Sequence, residues 1–410
     1  MSGESGTATA TAVPAATATD VHEYDVLIVG AGLPGLALAV ALRGSGLSCA
    51  LVDRQHPSVG EATGWDQRIY AISPGNARFL HDAGIWPRID PDRLAAIESM
   101  RVLGDREGTQ LDFSAFDIGE RALAWMIEQR ELMKATLGAW AAANEREAIH
   151  AGAAPVTLAR GRNRAEIRLD DGKTLAARLV VGADGLRSWT RGEAGIDATQ
   201  RAYGQSAVVA NFETENPHHG RAWQWFQSDG GVLAWLPLPG RRMSIVWSAP
   251  AAKAAQLLEQ DDAAFTAAVA AAGHDVLGNL QLIGARASFP LSFVRPSNMV
   301  ADRVALIGDA AHGIHPLAGQ GLNLGYGDAA VLAKVLRARG PVGDPGSPLL
   351  LGRYARERAW PTRSMQTLTD GLWRLFSTAN PIVCALRNRG MMILNDIPAA
   401  KALLMQPAMR

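Results

Sequence analysis

Cysteine is nearly absent from this 410-residue sequence, with Cys49 and Cys384 the only two. So few, placed so far apart, exclude a disulfide framework, a cysteine-rich zinc site and a Cys-x-x-Cys redox pair. They point to a reducing compartment. An excess of charge is also missing. Forty basic residues stand against forty acidic ones, without the basic surplus that nucleic-acid-binding domains usually carry. No apolar run reaches the roughly 18 residues of a transmembrane helix. Residues 1–22 contain no Lys or Arg and lack the basic and apolar regions of a signal peptide. They read as a disordered leader, and the chain as soluble and cytoplasmic.

What remains is ordinary globular composition, 48% hydrophobic and 20% charged, in a length suited to two or three domains. The run YDVLIV (24–29) reads as a strand buried on both faces. The turn GAGLPG (30–35) follows, then helical periodicity with Pro34 near the first helical position, where proline is tolerated. Gly44 and Gly46 close that helix, and 47–53 is a second strand, completing a βαβ start. Gly30 permits the tight turn, Gly32 lets backbone approach a pyrophosphate, and Gly35 lets helix pack on strand. Asp53 ends the second strand, where an acid can hydrogen-bond an adenosine ribose. These features predict a dinucleotide site and leave FAD and NAD both open.

Further along, 65–76 reads as loop leading into a helix, and 128–143 as a helix. A hairpin turns at Asp171 and Gly172 within 166–175, and 179–182 is another buried strand. From 206 to 248 apolar and polar residues alternate, as in an antiparallel sheet with one packed face. Trp223, Trp225 and Trp235 in that stretch read as packing. Residues 251–272 form an Ala-rich helical stretch. A strand at 304–308 leads through a Gly-rich loop into a helix ending at Arg337, and a Pro/Gly linker (340–348) precedes a helical tail. His312 and His315 have no carboxylate cluster beside them and read as structural hydrogen-bonding groups, so no metal site is expected.

Two segments narrow the choice of cofactor. VGADGLRS (181–188) and LIGDAAHGIHPLAGQGLNL (306–324) resemble the second and third motifs of the aromatic-hydroxylase class of flavoprotein monooxygenases, the glycine turn being the first. Within that class the chain resembles the Ubi-type hydroxylases of ubiquinone biosynthesis. The likeness rests on Asp66 and Arg68, the segments 71–73, 233–238, 244–248 and 289–291, and the third motif continued through Gly325 and Asp328. It implies an α/β fold: a Rossmann-like FAD-binding domain of the para-hydroxybenzoate-hydroxylase type, an inserted, mainly antiparallel β-sheet substrate domain, and a helical C-terminal region. The implied boundaries are 23–72, 100–190 and 288–345 for the FAD-binding domain, 73–99 and 191–287 for the substrate domain, and 346–410 for the helical region.

By the same resemblance FAD is held by Gly30, Gly32, Gly35, Asp53, Arg68, Arg130, Asp184, Gly308, Asp309, Pro316, Gly319, Gln320, Gly321, Leu322 and Asn323. Asp309 suits the ribityl hydroxyls. Gly319, Gln320 and Gly321 open a helix whose N–H groups suit the negative pyrimidine edge of reduced flavin. Arg130 corresponds to a residue over the ribityl or phosphate portion, and Arg68 to a nucleotide-facing arginine. Relatives commonly carry Glu where Asp53 stands. No catalytic side chain is assigned.

The implied activity is FAD-dependent hydroxylation of a polyprenylphenol ring in ubiquinone biosynthesis, with O2, through a flavin C4a-hydroperoxide. NADPH or NADH visits transiently; the ring carbon attacked is left open. Apolar tail segments (373–376, 381–386 and 390–394) with interspersed arginines suit a membrane surface, other ubiquinone-biosynthesis proteins, or the chain's own core. The enzyme would then sit in the cytoplasm, peripheral to the inner membrane. Two alternatives stay open: a hydroxylase of a small soluble aromatic acid, with Arg221, Arg241 or Arg242 as anchor, and a flavin-bound non-catalytic component of a quinone-synthesis complex.

Overall fold

The computed structural model describes residues 21–60, 64–141, 147–378 and 380–409. Most of the expected leader, 1–20, therefore lies outside the described residues. Val21 and His22 already belong to the first strand.

The chain opens with β1 (Val21–Val29), α1 (Leu33–Ala41) and β2 (Cys49–Asp53). A detour follows through β3 (Ile69–Ile72), α2 (Pro74–Asp82), β4 (Ala95–Ile97), β5 (Ser99–Leu103), β6 (Gln110–Ser114) and β7 (Ala124–Glu128). Sequence reading missed β3, whose four residues are too short to display a period. Next come α3 (Gln129–Ala141), β8 (Glu147–Ala151), β9 (Pro155–Arg160), β10 (Ala165–Leu169), β11 (Thr174–Gly182) and the short α4 (Trp189–Glu193). The expected hairpin at Asp171 is β10 paired antiparallel with β11.

The second half holds β12 (Ala198–Thr214), β13 (Arg221–Phe226), β14 (Val232–Leu238), β15 (Arg242–Pro250), α5 (Ala251–Glu259), α6 (Asp262–Ala272) and β16 (Leu280–Pro296). The helical stretch expected at 251–272 is two helices. Asp261 caps α6 by accepting the Ala264 N–H at 2.7 Å, and such a cap starts a new helix rather than continuing an old one. The chain closes with β17 (Val300–Ala301), β18 (Val304–Leu306), α7 (Gly321–Arg337), α8 (Pro348–Ser377), α9 (Pro381–Asn395) and α10 (Pro398–Met409).

Two large sheets organise these elements. In the first, β18, β11, β1, β2 and β8 lie side by side and parallel. Their core residues (Val26, Leu27, Ile28, Leu51, Val180, Leu306) are fully buried, with α1, α7 and the start of α8 packed against them. Buried, continuously apolar strands are what a parallel sheet covered by helices requires. The second sheet runs β16-β12-β15-β14-β13-β5-β6. Its outer face buries Phe212, Trp223, Trp225, Trp235, Ile245 and Trp247 against α5 and α6, which contribute Leu257, Phe265 and Val269. The tryptophans are packing residues, as expected.

The strand pairing redraws the domain boundaries. β5 pairs with β13 and β16 pairs with β12 along its length, so 100–114 and 288–296 belong to the antiparallel sheet, not to the FAD-binding unit. Residues 73–94 move the other way: Ala77, Leu80, Ile85 and Ile89 pack with Leu33, Val40, Leu132 and Tyr326 of α1, α3 and α7. Local composition does not reveal such exchanges, because the deciding partners lie about a hundred residues away along the chain. Helix α8 bridges the two units. Tyr354 near its start donates to the Leu306 carbonyl at 2.7 Å, and Phe376 near its end stacks on Phe226 of the antiparallel sheet.

Candidate functional site

The carboxyl ends of β1, β2, β11 and β18 converge, the position where open parallel sheets bind ligands. Three loops leave from there. In the first, Gly30 has φ +107°, and a Cβ on it would lie 2.4 Å from the Ala183 carbonyl oxygen. A Cβ on Gly35 would lie 2.3 Å from the Gly30 carbonyl oxygen. Gly32 differs, with nothing within 4 Å of its Cβ position. Of the three, this glycine alone faces open space. It is also the N-cap of α1, and no side chain caps that helix, so the N-terminal N–H groups are left for a ligand. One carboxylate oxygen of Asp53 accepts the Ala31 N–H at 2.8 Å, fixing the loop to the end of β2.

The second loop carries Asp184. Its oxygens accept from Ser188 Oγ at 2.5 Å and from the Thr190 N–H at 2.9 Å, which holds the start of α4. Arg191, buried, donates to the Ala310 carbonyl at 2.8 Å and ties this loop to the third.

In the third loop Gly308 has φ +62°, and its N–H donates to Asp328 Oδ2 at 2.9 Å. The Asp328 carboxylate is fully buried between His312 Nε2 and Arg358 Nε, each 2.6 Å away. Burial alone would raise its pKa; the neighbouring His312 and Arg358 outweigh that and hold it below the usual carboxylate range. This network fixes the Gly308 turn from behind. Asp309, next in the chain, faces outward and makes no hydrogen bond among the described residues. Surrounding protein pushes its carboxyl pKa up, opposed by His312 and Arg68.

The loop continues through Pro316 in a short 3-10 turn to Gly319, at φ +60°. Gln320 is the N-cap of α7, again without a side-chain cap, and nothing lies within 4 Å of the Gly321 Cβ position. Leu322 packs into the α1–α3 cluster. Asn323 braces the scaffold. Its Oδ1 accepts the Ser73 N–H at 2.9 Å, and its Nδ2 donates to the Ala71 carbonyl at 2.7 Å, which ties the start of α7 to β3. His315 is buried and bonds Gln205 Oε1 at 3.0 Å, and burial lowers its pKa to about 4 against a weak opposing effect of Asp370. Both histidines are hydrogen-bonded parts of the scaffold, as expected. Among the described residues no cluster of three or more His, Cys, Asp or Glu could hold a metal.

Arg68 is exposed, its guanidinium 4.3 Å from the Phe289 ring and close enough to Asp309 to act on it electrostatically. Arg130 lies in the first turn of α3, where its N–H donates to Asp66 Oδ2 at 3.1 Å and its guanidinium to the Gly64 carbonyl at 2.5 Å. The same loop is held by the buried Glu128, which accepts the Asp66 N–H and pairs with Arg93 at 2.6 Å. Sequence reading did not identify Glu128, Arg93 or Arg358. Only the motif continuation to Asp328 hinted at this supporting layer.

Facing the third loop is the inner face of the antiparallel sheet. Alternation sends the tryptophans outward, and Ala222, Gln224, Ala234, Leu236, Ser244 and Val246 inward. Ala71, 3.5 Å from the Gly319 Cβ position, packs with Ala222 and Leu236. Leu317 packs with Val102, Phe226, Val232 and Phe376. The loop and the inner face are thus opposite walls of one cleft. The three candidate anchor arginines are engaged away from its centre. Arg221 bonds Ser99 Oγ and Arg241 the Glu215 carbonyl, while Arg242, at the end of β15, pairs with the Glu213 carboxylate.

The residues present fit FAD. Two uncapped helix N-termini, α1 and α7, each meet open space at a glycine, suiting a pyrophosphate and an anionic ring edge. Asp309 offers an uncommitted carboxylate near both. The C-terminal region divides in two. Arg387 and Asn388 bond Asp105, and Asn395 Oδ1 accepts the Asp112 N–H at 2.9 Å, so α9 docks on the β5–β6 hairpin. Ile382, Leu386, Ile393 and Leu403 face outward and are exposed. Among the described residues no helix is long and apolar enough to cross a membrane.

The chain matches the family described as FAD binding domain over residues 23–368. It is 37% identical to the ubiquinone hydroxylase UbiL of Rhodospirillum rubrum, over 94% of this chain and 89% of that one. It is 32% identical to the 3-demethoxyubiquinol 3-hydroxylase of Escherichia coli, over 90% and 94%. Among solved structures it resembles PqsL of Pseudomonas aeruginosa, a probable FAD-dependent monooxygenase. There the TM-score is 0.72 at 23% identity, covering 91% of this chain and 100% of that one; at that identity the likeness speaks for the fold.

Proposed function

This chain belongs to the FAD-binding family of aromatic-ring hydroxylases, and from that premise we propose that it hydroxylates the ring of a polyprenylphenol during ubiquinone biosynthesis. Bound FAD, reduced by NADPH or NADH, supplies the chemistry that activates O2. The chain's own residues do the rest. The α1 N-terminus at Gly32 would hold the pyrophosphate, Asp53 the ribose and Asp309 the ribityl hydroxyls. The α7 N-terminus at Gly321 would offset negative charge on the flavin ring. Arg68 and Arg130 border this cleft, and Asp184, Gly308, Pro316, Gly319, Gln320, Leu322 and Asn323 shape it.

The observation that carries the reading is the inner face of the sheet. Between Ala207 and Ser248, alternation along β12 to β15 gives that face two charged residues, Glu213 and Arg242, which stand at its end and pair with each other. The rest is neutral. Such a wall suits a neutral, lipophilic ring and excludes water. A soluble aromatic acid would want a free cation there, and Arg221, Arg241 and Arg242 are engaged elsewhere. The exposed apolar face of α9 and α10 would serve contact with the inner membrane surface, or with other ubiquinone-biosynthesis proteins, from the cytoplasmic side.

Deleting the gene in its host and profiling lipid extracts by mass spectrometry tests this. Loss of ubiquinone with build-up of a prenylated phenol lacking one oxygen is the expected result, and the intermediate names the ring carbon. An unchanged quinone profile, with no second hydroxylase covering the step, would overturn the reading.

A further inference from the structure

The geometry points to Gln224 as the residue that grips a ring hydroxyl of the substrate, an inference that rests on the proposed ring-hydroxylase reading and assigns it a recognition contact.

Register places Gln224 on an interior strand of the cleft wall. It pairs across the sheet with Ala234 on one side and Val102 on the other, and Ala234 pairs with Val246, which pairs with Val209. The row Val209, Val246, Ala234, Gln224, Val102 therefore crosses five strands on the inner face. Val246 and Ala234 belong to none of the packed clusters, and both remain partly exposed although their strands are central. Interior strands expose side chains only where a space adjoins them. On one side its neighbours are small, Ala222 before Gln224 on its strand and Ala234 on the next, so a planar ring can approach from there.

Gln224 itself is 6% exposed, yet its amide makes no hydrogen bond among the described residues. The amide end is not sealed off: neither its oxygen nor its nitrogen is among the fully buried, unpartnered side-chain atoms, so the small exposed part of the residue includes the polar end. The other two side-chain amides on this face are at least partly engaged: Asn211 Nδ2 donates to the Asp66 carbonyl at 2.8 Å, and Gln205 joins His315 to the Gly230 carbonyl. Gln224 keeps one acceptor and two donor N–H groups. A phenolic hydroxyl, donor and acceptor at once, complements it. A carboxylate would find a donor there, but no charged side chain stands in the row beside Gln224 to offset its desolvation.

The site is tested on the FAD-loaded protein by titrating three probes and following the flavin absorbance: 2-geranylphenol, geranylbenzene and 4-hydroxybenzoate. Wild type is expected to bind the phenol about tenfold more tightly than the hydrocarbon. Gln224→Met, near in size and apolar, is expected to keep FAD and lose that preference. Gln224→Asn is expected to regain part of it. The coupling of hydroxylation to NAD(P)H oxidation is expected to fall in Gln224→Met while NAD(P)H oxidation itself persists. Equal affinity of wild type for phenol and hydrocarbon would overturn the inference without any variant, as would an unchanged preference in Gln224→Met. Preference of wild type for 4-hydroxybenzoate would instead overturn the substrate class, and a response to none of the three would count against both.

Discussion

The two walls of the cleft are made in different ways. The nucleotide wall is backbone: glycines at 30, 32, 35, 308, 319 and 321, two uncapped helix starts, and acids whose neighbours are close in sequence. The opposite wall is side chains, brought together from β5 and from β12 to β15 by cross-strand register. Backbone geometry demands particular residues at particular spacings. A sheet face demands only alternation, and many sequences alternate. The first wall is therefore tightly constrained in sequence, while the second is free to set which ring enters.

If that contrast holds, the most damaging change should strike the support behind the nucleotide wall. Asp328→Asn leaves Arg358 buried without its counter-ion, and losing one partner of a buried pair costs about 3–5 kcal/mol. A large drop in melting temperature with loss of FAD is the expected outcome; wild-type melting would show that the network does not support the wall.

The next effect is acid sensitivity centred on His315. Its folded-state pKa of about 4 lies below the ordinary value of 6.5, so the unfolded chain takes up the proton first as pH falls. The stability this histidine contributes is intact above pH 6.5 and lost as pH falls towards 4. Between about pH 7 and pH 5 that is a loss of about 2 kcal/mol. Denaturant titrations of His315→Gln at the two pH values should show a smaller loss than wild type; an identical loss would place the acid sensitivity elsewhere.

The smallest effect is the most selective. Asp309→Ala should leave the fold intact and weaken FAD retention about tenfold, roughly 1.4 kcal/mol. Ala234→Leu, on the other wall, should keep FAD and lose hydroxylation coupling. Full yellow colour of Asp309→Ala after extensive dialysis, or colourless Ala234→Leu, would erase the division between the walls.

Much of the nucleotide wall was legible because its causes are local. Gly30 needs φ +107° within one turn, and Asp53 reaches back only to Ala31. Asp184 and Asn323 were legible as motif residues, but their side chains brace loops and helix starts, and that emerges only from their partners Thr190 and Ser73. The boundaries at 73–99, 100 and 288 went astray for a related reason: β5 and β16 look like any short and long strand until β13 and β12 lie beside them. The C-terminal arginines look alike in sequence, yet Arg387 is buried against Asp105 and Arg389 is exposed.

The kind of chemistry came from the resemblance carried by the three cofactor motifs; by itself the sequence determined the βαβ start, the order of those motifs and the tryptophans as packing residues. Each follows from constraints acting within a few residues: steric limits at glycine, uncapped helix ends, and the two-residue period of a strand. Tertiary structure alone decided that Arg358 and His312 neutralise Asp328, that Arg221, Arg241 and Arg242 are engaged away from the centre of the cleft, and that Gln224 is left without a partner facing the loop that starts α7. Those outcomes depend on which distant backbone groups and charges come within hydrogen-bonding range, and no local period encodes that distance.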